Sequence, residues 1–360
     1  MILIKNIFNK QHFLFLLIIL TFWGCSAKQE KDLGLLPSAK GEVGEIILVI
    51  DTVKWKGPLG EEIREVFSRK IEGLPQPEAM FTVRNIDPNK FVSFLRQHKN
   101  IVIVTTFDEN TAGSRKLREF FTPESITQIK NNENIFMTNS ENEYAKGQLV
   151  MNLFSKDEAT LIKHLKENRQ KIQDVFNNLE RKRLASKLFK ARKKDLEKSL
   201  LESHNIKMVI PAGYKFVPLD SVPEDFVWLR YVEYDYDRNI VISYKDYESE
   251  EQFEEENILK WREDIMQKYT QQDSPDNYVI KEKLVPVSTR KVNFNGKYGV
   301  ELRGIWRLSV SIVGGPFLAY VFYDKDSGRI YYLEGFLSAP GASKREHMRE
   351  MEVVLRNFKG

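Results

Sequence analysis

The chain has 360 residues, with 55 Lys and Arg against 51 Asp and Glu, five His and a single Cys. So small a net charge, +4 on a chain of this size, argues against nucleic acid as the main partner, and 29% charged with 42% hydrophobic residues reads as a folded rather than a disordered chain. One cysteine excludes an internal disulfide, so stability has to come from packed cores.

Residues 13–25, FLFLLIILTFWGC, form an uncharged run behind Lys5 and Lys10 that ends in Gly24 and Cys25. Its 13 residues are short of the roughly 20 that a spanning helix needs. The pattern is that of a secretory leader, and its Gly-Cys ending resembles a bacterial lipoprotein signal, cut before an acylated Cys25. Loss of residues 1–24 with their two lysines leaves 336 residues with a balance of +2, enough for two domains. Residues 25–42 are polar, rich in small residues and aperiodic, and are expected to be a tether with a reach of roughly 20–25 Å. Ser26, with no Asp following Cys25, resembles lipoproteins sorted to the outer membrane. The expected division is signal 1–24, tether 25–42, N-terminal α/β domain 43–183 and C-terminal α+β domain 184–360.

Residues 45–50 (EIILVI) predict a buried strand. Gly57-Pro58 opens a helix over 59–71, with Ile63, Val66 and Phe67 on one face. A strand follows at 80–86, then a short helix to His98 with Phe91, Phe94 and Leu95 inward, then a buried strand at 100–106. This β-α-β-α-β order favours a layered sheet, with further strands near 134–138 and 148–154. No Gly or Pro occurs between Gly147 and Pro211, and apolar residues recur at helical spacing from 156 to 203. A single helix of that length would run to about 70 Å. The phase slips near 181–184, so either a break there or one long helix joining two domains is expected. The second half is β-rich: strands at 207–210, 214–217, 226–234, 239–247, 278–285, 290–294, 298–310, 315–323 and 329–336, with helices over 250–271 and 344–358. Hairpins ending in a helix predict an antiparallel sheet with helices on one face, hence an α+β fold.

The leader, GEIILVI, LPQPEAMF, IPAGYKF, FVWLRY and the ending FLSAPGASKREHMREMEVVLRNF together resemble a family of Bacteroidota lipoproteins known as domain of unknown function 4837, over nearly the full length. The resemblance supplies no catalytic residues. From IPAGYKF onward the pattern is also similar to the PsbP/Mog1-type α+β fold, a likeness that carries no function.

The chain contains no phosphate loop, GxGxxG, GxSxG or HExxH, and no pair of its histidines has metal-ligand spacing, so neither a cofactor nor a metal is expected. Ser288-Thr-Arg-Lys291 fits SxxK, but its surroundings read as a strand rather than the helix start which that nucleophile needs. Residues 181–194 carry eight basic side chains and no acid: Arg181, Lys182, Arg183, Lys187, Lys190, Arg192, Lys193 and Lys194. They suit either an anionic surface or a solvated helix face, and the second is favoured. Six acids in 248–256 sit near a helix N-terminus, where the dipole accounts for them. Strand alternation puts Trp228, Arg230, Tyr234 and Tyr236 on one face, a candidate platform for a glycan or peptide, with sheet core as the competing use. Trp306 with Arg303 and Arg307 is a weaker set, and Val313-Gly-Gly-Pro316 is expected to turn between strands. The expected protein is a non-enzymatic, lipid-anchored envelope protein, on the membrane through Cys25, that binds or scaffolds an envelope protein or glycan. An envelope hydrolase acting on peptidoglycan or glycan, and a carrier of an apolar ligand, are the alternatives.

Overall fold

The computed structural model describes residues 33–219 and 223–359. The leader, Cys25 and the first part of the tether lie outside the described residues. In the N-terminal half, β1 (Glu45–Val49), β3 (Asn100–Thr106) and β5 (Leu149–Ser155) run parallel, with β2 (Thr82–Ile86) parallel at one edge and β4 (Met137–Glu141) antiparallel at the other. The central strands are buried on both faces, which is why they read as continuous apolar runs. One face carries Ile46, Leu48, Val102, Val104, Met151 and Leu153. It packs under α2 (Pro58–Phe67), which follows the short α1 (Thr52–Lys56), and under α6 (Glu158–Glu167) and α7 (Arg169–Leu188). The other face carries Ile47, Val49, Ile101 and Ile103 against Phe91 and Leu117. It is reached through α3 (Ser93–Arg96), α4 (Ala112–Arg118) and α5 (Pro123–Asn131).

Several local expectations are corrected. Residues 37–42 are not free tether: Lys146 donates its N–H to the Pro37 carbonyl at 2.7 Å, and Lys40 exchanges backbone bonds with Gln97 and Lys99. Residue 94 turns outward, its phenylalanine 64% exposed, because α3 is a single turn rather than a helix reaching His98. The helical stretch after residue 156 breaks at Asn168 and over 189–193, and α7 runs unbroken through 181–184. Asn168 ends α6, where its side-chain amide donates to the His164 carbonyl at 3.0 Å, a local cap that needs neither Gly nor Pro.

After α8 (Lys194–His204) comes the second sheet, in the order β10 (Ser288–Phe294), β11 (Lys297–Leu308), β12 (Gly314–Asp324), β13 (Arg329–Ser338), β8 (Asp237–Asp246), β7 (Phe226–Val232), β6 (Lys215–Phe216). A short β9 (Val279–Lys281) also pairs with β11. The fold is α+β with antiparallel pairing as expected, but helices cover both faces of this sheet rather than one. Leu318, Tyr320, Phe322, Tyr331 and Leu333 face α8 and α10 (Arg345–Arg356). Phe317, Ala319, Val321, Tyr332 and Phe336 face α9 (Glu255–Tyr269). Strict alternation along β12 and β13 thus serves two cores at once.

Gly314 and Gly315 lie in β12, not in a turn; residues 309–313 make the turn. A Cβ on Gly315 would come within 2.0 Å of the Leu337 carbonyl oxygen, which instead accepts the Trp306 indole N–H at 3.1 Å. Arg262 on α9 and Glu334 on β13 are fully buried and joined by two 2.8 Å hydrogen bonds. Removing either partner leaves a charge stranded in the core. Arg262→Met alone or Glu334→Leu alone should each cost about 3–5 kcal/mol, while the double replacement should come back close to wild type. Urea unfolding of the four proteins checks this, and an additive double variant would show that the pair is not coupled.

Candidate functional site

The two halves meet along α10. Its N-cap, Lys344, has no side-chain cap of its own. The missing acceptor comes from the other half: Glu78 takes the backbone N–H of Lys344 at 2.7 Å, that of Arg345 at 3.1 Å, and the Ser343 hydroxyl. Burial alone would raise the Glu78 carboxyl, but these donors hold it below its ordinary range. A carboxylate at a helix start is also favoured by the positive end of the helix dipole. Further along, Arg345 donates to the Ala79 carbonyl at 3.0 Å, Arg349 donates to the Met80 carbonyl, and Arg181 of α7 reaches Glu352 at 2.6 Å.

Beside this seam lies a cleft of about 150 Å³, walled by both halves. Its floor is a charged network. Glu301 Oε1 accepts from Arg290 and Arg303, each Nε at 2.8 Å, and its Oε2 accepts the Tyr320 hydroxyl at 2.8 Å. Glu352 accepts from Arg181 at 2.6 Å and from Arg356 at 3.2 Å, and its second oxygen lies 3.6 Å from Arg303. Burial opposes ionisation of both carboxyls. Arg303 and Arg290 outweigh it at Glu301, which stays well below the usual carboxylate range, and Arg181 and Arg303 outweigh it at Glu352, which is also lowered. Two carboxylates therefore share four guanidiniums. The cleft as a whole is lined by seven basic and four acidic side chains. Acids locked in this way are poor proton donors and acceptors for chemistry, whereas the excess of guanidinium suits recognition of an anion.

The sequence-predicted platform does not form. Trp228 is buried under α9, its indole N–H on Asn239 Oδ1 at 2.9 Å, whereas Tyr236 packs on the α10 face. Residues 233–236 are the hairpin turn, so alternation from β7 stops at Val232. Arg230 pairs with Asp237, and Tyr234 stands fully exposed at the tip. Tyr236 instead joins Tyr214, Tyr231 and Arg238 in a separate recess of about 300 Å³ whose rim includes Lys187. Half of the basic run is engaged internally. Arg181 binds Glu352, Arg183 binds Glu180 and Asn100, Arg192 binds Glu197, and Lys193 lies 3.6 Å from Asp195. Lys182, Lys187, Lys190 and Lys194 are exposed and make no ion pair within the described residues. Ser288 and Lys291 sit in β10, where alternation points them apart, and Ser288 bonds Glu72.

The seam residues Glu78, Glu301, Glu352, Arg290 and Arg349 were not singled out by sequence analysis. Glu301 and Arg303 did leave a trace: two charges at i and i+2 in the middle of a strand share one face, and Trp306 takes the other. Away from the seam, Lys54 is buried at the carboxyl ends of the parallel strands and meets Glu158 at 2.6 Å, Glu109 at 3.0 Å and Asp108 at 3.2 Å. Burial would lower its pKa, but these three acids raise it above its ordinary value, so Lys54 fills the place a cation would take. Among the described residues no group of three or more His, Cys, Asp and Glu is arranged to hold a metal, and no helix is long and apolar enough to cross a membrane.

His347 on α10 accepts from Arg238 at 2.7 Å, and burial together with that guanidinium pushes its pKa down from 6.5 to about 4. The folded chain thus refuses a proton that the unfolded chain takes. The stabilising contribution is complete above pH 6.5 and is lost as pH falls toward 4. His347→Asn should flatten the fall in unfolding free energy across that window. His98 and His204, also lowered by burial, should leave a residual slope of the same sign. An unchanged slope would contradict the assignment.

Comparison with known proteins follows the seam. Residues 39–189 match the family model described as Domain of unknown function (DUF8532), and residues 193–357 match Domain of unknown function (DUF4837). No curated protein matches the chain. Among solved structures, the Ran-binding protein Mog1p of Saccharomyces cerevisiae aligns at TM-score 0.28 and 10% identity, over 43% of this chain and 89% of that one. A point mutant of Mog1 aligns at TM-score 0.26 and 12% identity over the same shares. The chain is thus similar to one domain family of unknown function in each half, and the expected likeness to the second covers its C-terminal half rather than nearly its full length.

Proposed function

We propose that this is a lipid-anchored protein of the bacterial cell envelope, held on the outer membrane through acylated Cys25, that binds a partner or ligand without transforming it. The anchor rests on the basic-apolar-Gly-Cys leader. Several acyl chains on one cysteine would hold the protein on a bilayer, at about 0.8 kcal/mol per buried CH₂. The observation that carries the binding role is the interdomain cleft, whose buried Glu301 and Glu352 are held ionised by guanidiniums while cationic side chains remain in excess. Such a site recognises charge rather than moving protons.

The rival reading, an envelope hydrolase acting on peptidoglycan or glycan, draws on one specific feature. The acids around Lys54 stand at the carboxyl ends of parallel strands, where α/β enzymes place their chemistry. Lys54 engages three of those acids at once, which leaves them ill suited to act as general acid and base.

Metabolic labelling with a fatty-acid probe in the presence and absence of globomycin, beside Cys25→Ser, tests the anchor. Label in the wild type alone, with the variant lost from the membrane fraction, is the expected result. Label on neither protein would remove the lipid-anchored reading.

A further inference from the structure

The interdomain cleft carries more positive charge than its own acids neutralise, and the donors left over are identifiable. Arg290 and Arg303 each direct Nε to Glu301, and no described residue accepts from Nη1 of either. Arg290 is 49% exposed and Arg303 18%, so both guanidiniums are held by the protein and still reach the cleft. Lys70, exposed on the opposite wall, has no ion-pair partner among the described residues, and Arg69 beside it places one terminal nitrogen on Glu72. The C-terminal half thus offers two prearranged guanidiniums, and the N-terminal half offers an ammonium and a further guanidinium.

We infer that the cleft binds a small ligand bearing a doubly charged phosphate group, bridged between Arg290 and Arg303 on one side and Arg69 and Lys70 on the other. The inference deepens the binding role proposed above and rests on it, but it is independent of the lipid anchor. Three features select the ligand class. Planar guanidiniums already fixed by Glu301 lose little freedom when they take up phosphate oxygens. Arg345 and Arg349 are paired with Glu346 outside the cleft, and the cations that remain for a ligand, Arg69, Lys70, Arg290 and Arg303, are hydrogen-bonded to only two acids among the described residues, Glu72 and Glu301, which favours a dianion over a monoanion. The volume, about 150 Å³, leaves room for a phosphate group between the two walls.

The test is calorimetric titration and thermal shift of the full chain in mild detergent, with glycerol phosphate, inorganic phosphate, succinate, and vesicles containing phosphatidylglycerol as probes. Glycerol phosphate and inorganic phosphate should bind with a dissociation constant of about 1 mM or tighter and raise the melting temperature. Glycerol phosphate should bind several-fold more tightly at pH 7.5 than at pH 5.5, because its second ionisation lies near 6. The double variant Arg69→Gln/Lys70→Gln should lose about tenfold in affinity, with its ligand-free melting temperature unchanged because both side chains are exposed. Arg192→Gln, on the far side of the basic run, should bind as the wild type does. Failure of both phosphates to bind, equal affinity in the double variant, preference for succinate, or binding to vesicles alone would each overturn the inference. Labelling of Cys25 is read separately, so the anchor and the cleft fail independently.

Discussion

One carboxylate sets the geometry of the seam. Glu78 comes from a loop of the first domain and caps the last helix of the second, supplying acceptors for two backbone N–H groups that the helix cannot satisfy itself. From that fixed start, α10 runs along the joint with one face in the sheet core and the other toward the first domain. Met348, Met351, Val354 and Leu355 enter the core. Arg345, Arg349 and Glu352 reach across to Ala79, Met80 and Arg181. The joint is polar and directional, which fixes orientation in a way that an apolar patch would not.

The same helix connects the seam to the sheet behind it. Tyr320 projects from β12 and donates to Glu301 of β11 at 2.8 Å, within 3.3 Å of Glu352 on α10. Arg356, one turn beyond Glu352, returns to Tyr320 at 3.2 Å. Glu301, Arg303 and Tyr320 stand on the paired inner strands β11 and β12, Glu352 and Arg356 on α10 packed against the sheet, and Arg290 on the edge strand β10. The guanidiniums at the cleft therefore start in place, and a ligand would meet a preorganised surface rather than order one.

Much of the architecture was legible in sequence. EIILV, NIVIVTT and LVMNLFS announce strands because all their residues are buried or nearly so, and Asn295-Gly296 and Asp326-Ser327-Gly328 mark hairpins that exist. What local pattern could not supply was the third layer. When both faces of a strand are covered, the run is uniformly apolar, and nothing in it says that α9 goes to one side and α10 to the other. The aromatic platform failed for a related reason. Alternation was carried past Val232 into a turn, so Trp228 and Tyr236 fall on opposite faces. The long helical stretch holds no Gly or Pro to mark its breaks: at Asn168 the side-chain amide takes the His164 carbonyl, and residues 189–193 leave the helix without either breaker. The seam was least legible: Glu78 and Lys344 are 266 positions apart, and no local signal marks a helix cap supplied from such a distance.

The central claim is that Glu78 and the contacts around it make the two domains one cooperative body. Differential scanning calorimetry of the wild type beside Glu78→Ala addresses it directly. The account predicts a single transition for the wild type, with a calorimetric enthalpy equal to its van't Hoff enthalpy, and two separated transitions for Glu78→Ala. Two independent transitions in the wild type, or an unaltered single transition in the variant, would contradict it.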